Sequence, residues 1–132
     1  MMIICSLAAF LLYANTLHHD YALDDETAIV KNKFTHEGLS ALPKIFSTPY
    51  RAGFDDRREG LYRPLSIAMF AAEWQISPGN PYLNHWVNVL LYALTAVLLF
   101  ITLALLFEGQ NIALPFVATL IFTAHPIHTE VV

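Results

Sequence analysis

Three carboxylates follow one another at Asp24, Asp25 and Glu26, within the stretch Tyr21-Ala22-Leu23-Asp24-Asp25-Glu26. An aspartate so placed can cap a helix, and on composition alone that is the stronger reading. A like charge close by can instead raise the pKa of one carboxylate until it serves as a general base. Neighbours on a helix point about 100° apart, so only one of Asp24 and Asp25 can aim at a shared pocket, while the other caps or pairs with an arginine.

A second cluster lies near the other end, in Ala124-His125-Pro126-Ile127-His128-Thr129-Glu130. Imidazoles three residues apart can share a helical face, and Glu130 can add an oxygen. The set suits a metal, or an acidic or hydroxylated ligand held by hydrogen bonds. Interfacial decoration explains it equally well, and Pro126 interrupts a regular helix. Arg51, Arg57, Arg58 and Arg63 carry the planar fork that matches phosphate. Surface pairing with Asp55, Asp56 and Glu59 is the plain alternative, and Arg63, next to Pro64 at a helix start, is the strongest phosphate candidate. Trp74, Trp86 and Tyr82 read as belt aromatics. Neither a P-loop, a dinucleotide-binding turn nor a nucleophile elbow is present.

Membrane helices must position these clusters. The 132 residues are 56% hydrophobic and only 14% charged, against roughly 25% charged for a soluble domain. A net charge of -4 excludes nucleic acid as a partner, since binding phosphate backbones needs clustered surplus Lys and Arg. Cys5, the single cysteine, supports neither a disulfide framework nor a thiolate metal site.

The expected fold is an all-α membrane protein with about three transmembrane helices and a long first extracytoplasmic loop containing short interfacial helices. Residues 1–17 form a first, uncleaved helix, roughly 25 Å long at 1.5 Å per residue. Residues 18–86 form the loop, which holds all seven Lys and Arg. Within it Asp24 is expected as an N-cap with Asp25 and Glu26 in the first turn, and Gly38–Phe46 as a short helical piece. Ala52–Gly60 reads as polar and mobile, and Pro64 opens an interfacial helix with Leu65, Ala68, Met69, Ala72 and Ile76 on one face. Residues 87–107 span the membrane over roughly 31 Å. Residues 108–111 turn, 112–124 cross back, and 125–132 begin a second extracytoplasmic segment. Two crossings separate the acid triplet from the histidine cluster, so parity puts both on one side of the bilayer.

Four stretches carry a resemblance. Tyr21–Ile29, Tyr62-Arg63-Pro64-Leu65, His85–Tyr92 and His125–Val132 resemble, in that order, the amino-terminal membrane part of the transmembrane and tetratricopeptide-repeat protein O-mannosyltransferases, within the C-type membrane glycosyltransferases. The likeness covers almost the whole chain and implies a fragment of a longer enzyme, inactive by itself. It implies an extracytoplasmic first loop and transfer of a sugar, mannose in the family, from a polyprenyl-phosphate donor to an acceptor hydroxyl.

The resemblance makes Asp24 or Asp25 the catalytic carboxylate, with Arg63, His125 and His128 on the donor phosphate and Glu26 and Glu130 as acceptor-side or supporting carboxylates. The partners it implies are a lipid-linked sugar donor, a protein or glycan acceptor and membrane lipids. No cofactor is required, and a divalent metal is optional. The expected location is a multi-pass protein of the bacterial inner membrane or, in a eukaryote, of the endoplasmic reticulum. Rival expectations are a non-catalytic membrane anchor or scaffold for tetratricopeptide repeats, and a metal or solute transporter using His125, His128 and Glu130.

Overall fold

The structure is a computed structural model that describes residues 1–22, 24–55 and 60–130, with the side chains of Thr129 and Glu130 excepted. The candidates Arg57 and Arg58, the acids Asp56 and Glu59, and Leu23, Val131 and Val132 of the resembling stretches therefore lie outside the described residues, as does the Glu130 side chain. Among the described residues the regular structure is helical throughout. The chain divides into two compact units, residues 1–19 with 85–132, and residues 20–84.

The first unit is built from three apolar helices. Helix α1 (Met2–Tyr13) continues through a 3-10 turn, Ala14–His18. Its unbroken apolar sequence has no proline or glycine to stop it. Cys5, Ala9, Tyr13 and Leu17, four residues apart, fall on one buried stripe and pack with Val89, Tyr92, Ala93, Ala96 and Phe100 of the long helix. The Tyr13 and Tyr92 rings meet edge to face at 4.8 Å.

That long helix, labelled α6 in chain order, is Pro81–Leu106. Pro81 suits its first position, and the Asn80 carboxamide accepts from the Tyr82 N–H at 3.1 Å. Its 26 residues, with a mean hydropathy of 2.7 over the most apolar window, make it the one helix among the described residues long and apolar enough to cross a membrane. Helix α7 (Ala113–Thr123), like α1, is shorter and apolar. Thr119 and Thr123 are fully buried on α7 and satisfy their hydroxyls on carbonyls four residues back, the low-cost solution for a polar group without water.

The second unit wraps small helical pieces around α5 (Pro64–Ile76). Against α5 pack a π-helical turn, Glu26–Val30, helix α2 (Lys33–His36), a 3-10 turn, Gly38–Ala41, and helix α3 (Leu42–Ile45). Gly38 has φ 67°, and a Cβ there would come within 2.8 Å of the Gln75 side chain, which itself accepts from the Leu39 N–H. Helix α4 (Ala52–Asp55) packs on α2. Where a polar, mobile stretch was expected from Ala52, the chain makes a helical turn whose Ala52 and Gly53 are buried.

The face of α5 expected at a membrane interface is not the one that faces the protein. Leu65 and Ile76 are about three-quarters exposed, while Ile67 and Ala71 join Ala28, Ile29, Ala41 and Ile45 in the core. Apolar residues surround most of this helix, so spacing alone could not choose the buried side. Trp74 packs on this core and stacks with the His36 ring at 4.1 Å.

Candidate active site

Local hydrogen bonds separate the two aspartates. Asp25 turns its carboxylate back on the chain, where Oδ2 accepts the Ala22 N–H at 3.1 Å. Asp24 makes no side-chain cap, contrary to the expected role. Its backbone carbonyl accepts the Thr27 and Ala28 N–H groups, and its carboxylate is left for Arg51, whose Nη2 donates to Oδ1 at 3.0 Å. Glu26 pairs at the surface with Lys31.

Asp24, Arg51 and Arg63 line one cavity of about 220 Å3 together with Pro49, Tyr50, Gly60 and Leu61. One hydrogen bond joins its walls, the Tyr50 N–H donating to the Leu61 carbonyl at 2.7 Å, and next along the chain the Tyr62 hydroxyl donates to the Phe46 carbonyl at 2.8 Å. The Arg63 guanidinium lies over the Tyr50 ring, 5.9 Å from its centre, a contact that orients a cation without neutralising it. Burial pushes the Tyr50 phenol up, and the negative charge of Asp24 adds to the effect. A pocket with one carboxylate and two guanidinium groups can hold a phosphate and accept a proton from a hydroxyl within one ligand's length.

Arg51 reaches this cavity because α4 is docked on Asn32. The buried Asn32 carboxamide caps α2, accepting from the Phe34 and Thr35 N–H groups. Gly53 lies so close that a Cβ there would come to 1.8 Å from Asn32 Oδ1.

His125 and His128 belong to the first unit. They precede and occupy a 3-10 turn, Pro126–Glu130. Nδ1 of His125 accepts the Ile127 N–H at 3.2 Å, and its carbonyl accepts the Tyr13 hydroxyl at 3.4 Å. His128 is half-buried against the rings of Phe122 (4.5 Å) and Tyr92 (5.3 Å). The two imidazole centres stand 6.3 Å apart. Among the described residues no group of three His, Cys, Asp or Glu is placed to hold a metal.

One titratable group escaped the sequence reading. Glu73 on α5 is only 5% exposed. The Asn84 Nδ2 donates to its Oε2, Asn84 Oδ1 accepts the Tyr21 hydroxyl at 3.0 Å, and Glu73 Oε1 is buried without a hydrogen-bond partner. Burial pushes the Glu73 carboxyl up to about 7, against the opposing effect of the Asn84 hydrogen bond. The signal was available: Glu73 is the only charge between Pro64 and Ile76, and an isolated acid in an apolar helix invites a search for its partner.

In sequence the chain is similar to part of a class of glycosyltransferases. Over 128 residues, 95% of its length, the chain is 33% identical to mouse protein O-mannosyl-transferase TMTC1 and covers 13% of that protein. It is 30% identical to human protein O-mannosyl-transferase TMTC3 over 122 residues, 91% of the chain and 13% of the relative. Mouse protein O-mannosyl-transferase TMTC2 is 35% identical over a 141-residue alignment taking in 98% of the chain and 15% of the relative. The chain is thus a homologue of one segment of the TMTC-type protein O-mannosyl-transferases. No family model and no solved structure matches it.

Proposed function

We propose that this chain carries the acceptor-activating and phosphate-binding corner of a membrane glycosyltransferase that moves mannose from a polyprenyl-phosphate carrier to a Ser or Thr hydroxyl of a protein. The observation that carries the reading is the convergence of Asp24, Arg51 and Arg63 on one cavity. The acceptor oxygen attacks the anomeric carbon with inversion. Asp24 takes the hydroxyl proton as the sugar–phosphate C–O bond breaks, and the polyprenyl phosphate leaves with the electron pair. Arg63, with Arg51, stabilises the charge gathering on that phosphate. Asp25 is assigned the structural part, holding the turn through the Ala22 N–H.

The membrane arrangement is part of the proposal: α1 with its 3-10 extension, α6 and α7 as three crossings, and residues 20–84 on the extracytoplasmic or lumenal side. The length and hydropathy of α6 support a crossing by that helix. His125 and His128 are proposed, within their own unit, as donors to a phosphate oxygen of the lipid carrier. Glu26 and Glu130 remain supporting carboxylates.

The test uses the full-length protein, purified, with a polyprenyl-phosphate-linked mannose donor. Asp24→Asn is expected to lower transfer by about 10²- to 10⁴-fold, Asp25→Asn by much less, and Arg63→Ala to raise the requirement for donor. Transfer unchanged by Asp24→Asn and Arg63→Ala would sink the catalytic reading and leave the segment an anchor.

A further inference from the structure

Glu73 has no part in the chemistry above, yet its placement is costly. A carboxyl group excluded from water wants a cation or a full set of hydrogen bonds. Here Oε2 accepts from Asn84 and Oε1 has nothing. An apolar residue would fill the same space at lower cost, so the position rewards what the carboxyl does to its neighbours.

The carboxyl oxygen draws the Asn84 Nδ2–H toward itself. That leaves Asn84 Oδ1 facing the other way, where the Tyr21 hydroxyl donates to it. The Tyr21 ring packs on the core beneath α5, and Tyr21 leads directly into the turn closed by the Ala22 N–H on Asp25. Burial raises the Tyr21 phenol, and the negative charges of Asp25 and Glu73 add to the effect. We infer that Glu73 is a positioning residue for the acidic segment: through Asn84 and the Tyr21 hydroxyl it fixes the turn from which Asp24 reaches its cavity.

The kinetic part of the inference rests on the transferase reading, and the structural part does not. Near neutral pH the group exchanges between charged and uncharged forms, and in both Oε2 accepts from Asn84. Glutamine keeps that acceptor at the same reach, whereas leucine removes it.

The experiment compares Glu73→Gln, Glu73→Leu and Tyr21→Phe in the full-length protein. Amide hydrogen exchange of residues 20–27 is read first, because it needs no activity. Exchange there is expected to accelerate by about tenfold in Glu73→Leu and Tyr21→Phe and to stay at the parental rate in Glu73→Gln. Sugar transfer is read second: kcat is expected to fall about 10- to 100-fold in the first two variants with KM for the donor unchanged, as for a misplaced catalytic group, and to recover in Glu73→Gln. Unchanged exchange in both Glu73→Leu and Tyr21→Phe overturns the inference, as does a full kcat in Glu73→Leu. A parental protein that transfers no sugar overturns the transferase reading, and the exchange measurement still decides the role of Glu73.

Discussion

Arg51 Nη2 stands 3.0 Å from Asp24 Oδ1, joining residues 27 positions apart with both side chains largely in solvent. A pair so exposed contributes under about 1 kcal/mol to stability. Arg51→Ala is therefore expected to leave the melting temperature nearly unchanged while lowering sugar transfer by about tenfold or more, since the guanidinium orients Asp24 and faces the same cavity as Arg63. Arg51→Lys retains the charge but loses the fork and is expected to fall between the two. Parallel melting and transfer assays check the split.

Gly53→Ala puts a methyl group where the Asn32 carboxamide now sits, 1.8 Å from Oδ1. The clash is with a buried capping group that cannot swing aside, so a loss of about 3 kcal/mol is expected. Asn32→Ala alone forfeits the α2 cap, about 1 kcal/mol. Combined with Gly53→Ala it relieves the clash, and the double variant is expected to melt above Gly53→Ala. Additive losses in denaturant titrations would contradict this account.

Stability is expected to depend on pH through Glu73. Its folded pKa, about 7, lies above the ordinary 4.5, so between these values the folded state binds more protons than the unfolded one. The contribution is fully present below about pH 4.5 and is lost as pH rises through about 7. At 1.36 kcal/mol per unit the loss amounts to about 3 to 4 kcal/mol. Glu73→Gln should flatten this fall and stand above the parental protein at pH 8, as read by melting at a series of pH values.

Ala9→Leu tests the packing of the first unit. Ala9 is fully buried on the stripe that α1 presents to Tyr92, Ala93 and Ala96. Three added carbons cannot be accommodated between close-packed helices, and about 1 to 3 kcal/mol is expected to be lost. Ala8→Leu, at a half-buried neighbouring position, should cost much less. Thermal aggregation in detergent distinguishes the two.

The helical class and the proline-marked start of α5 could be read from local residue chemistry, because each depends on a few neighbours, whereas α6 starts at Pro81, ahead of the expected residue 87. The buried face of α5 could not. Ile67 and Ala71 rather than Leu65 and Ile76 line the core, and that choice depends on chain segments tens of residues away. The same holds for the cavity: the aspartates and arginines are visible as residue types, but the pairing of Asp24 with Arg51 needs α4 seated on Asn32 through Gly53. Asp24 was expected to cap, and a distant guanidinium proved the better partner. Glu73 is visible as a lone acid in an apolar helix, but the hydrogen bond that accompanies its burial comes from Asn84, which nothing local pointed to.

The hydrogen bond between Tyr21 and Asn84 closes a loop over 63 sequence positions, so the unit of residues 20–84 starts and finishes at one place. A module whose two ends are clasped can be inserted into a host chain without stretching it, and can be lifted out with little loss of internal contact. Residues 20–84 thus have the construction of an insertion whose ends meet, and every described residue lining the pocket of Asp24, Arg51 and Arg63 comes from within it.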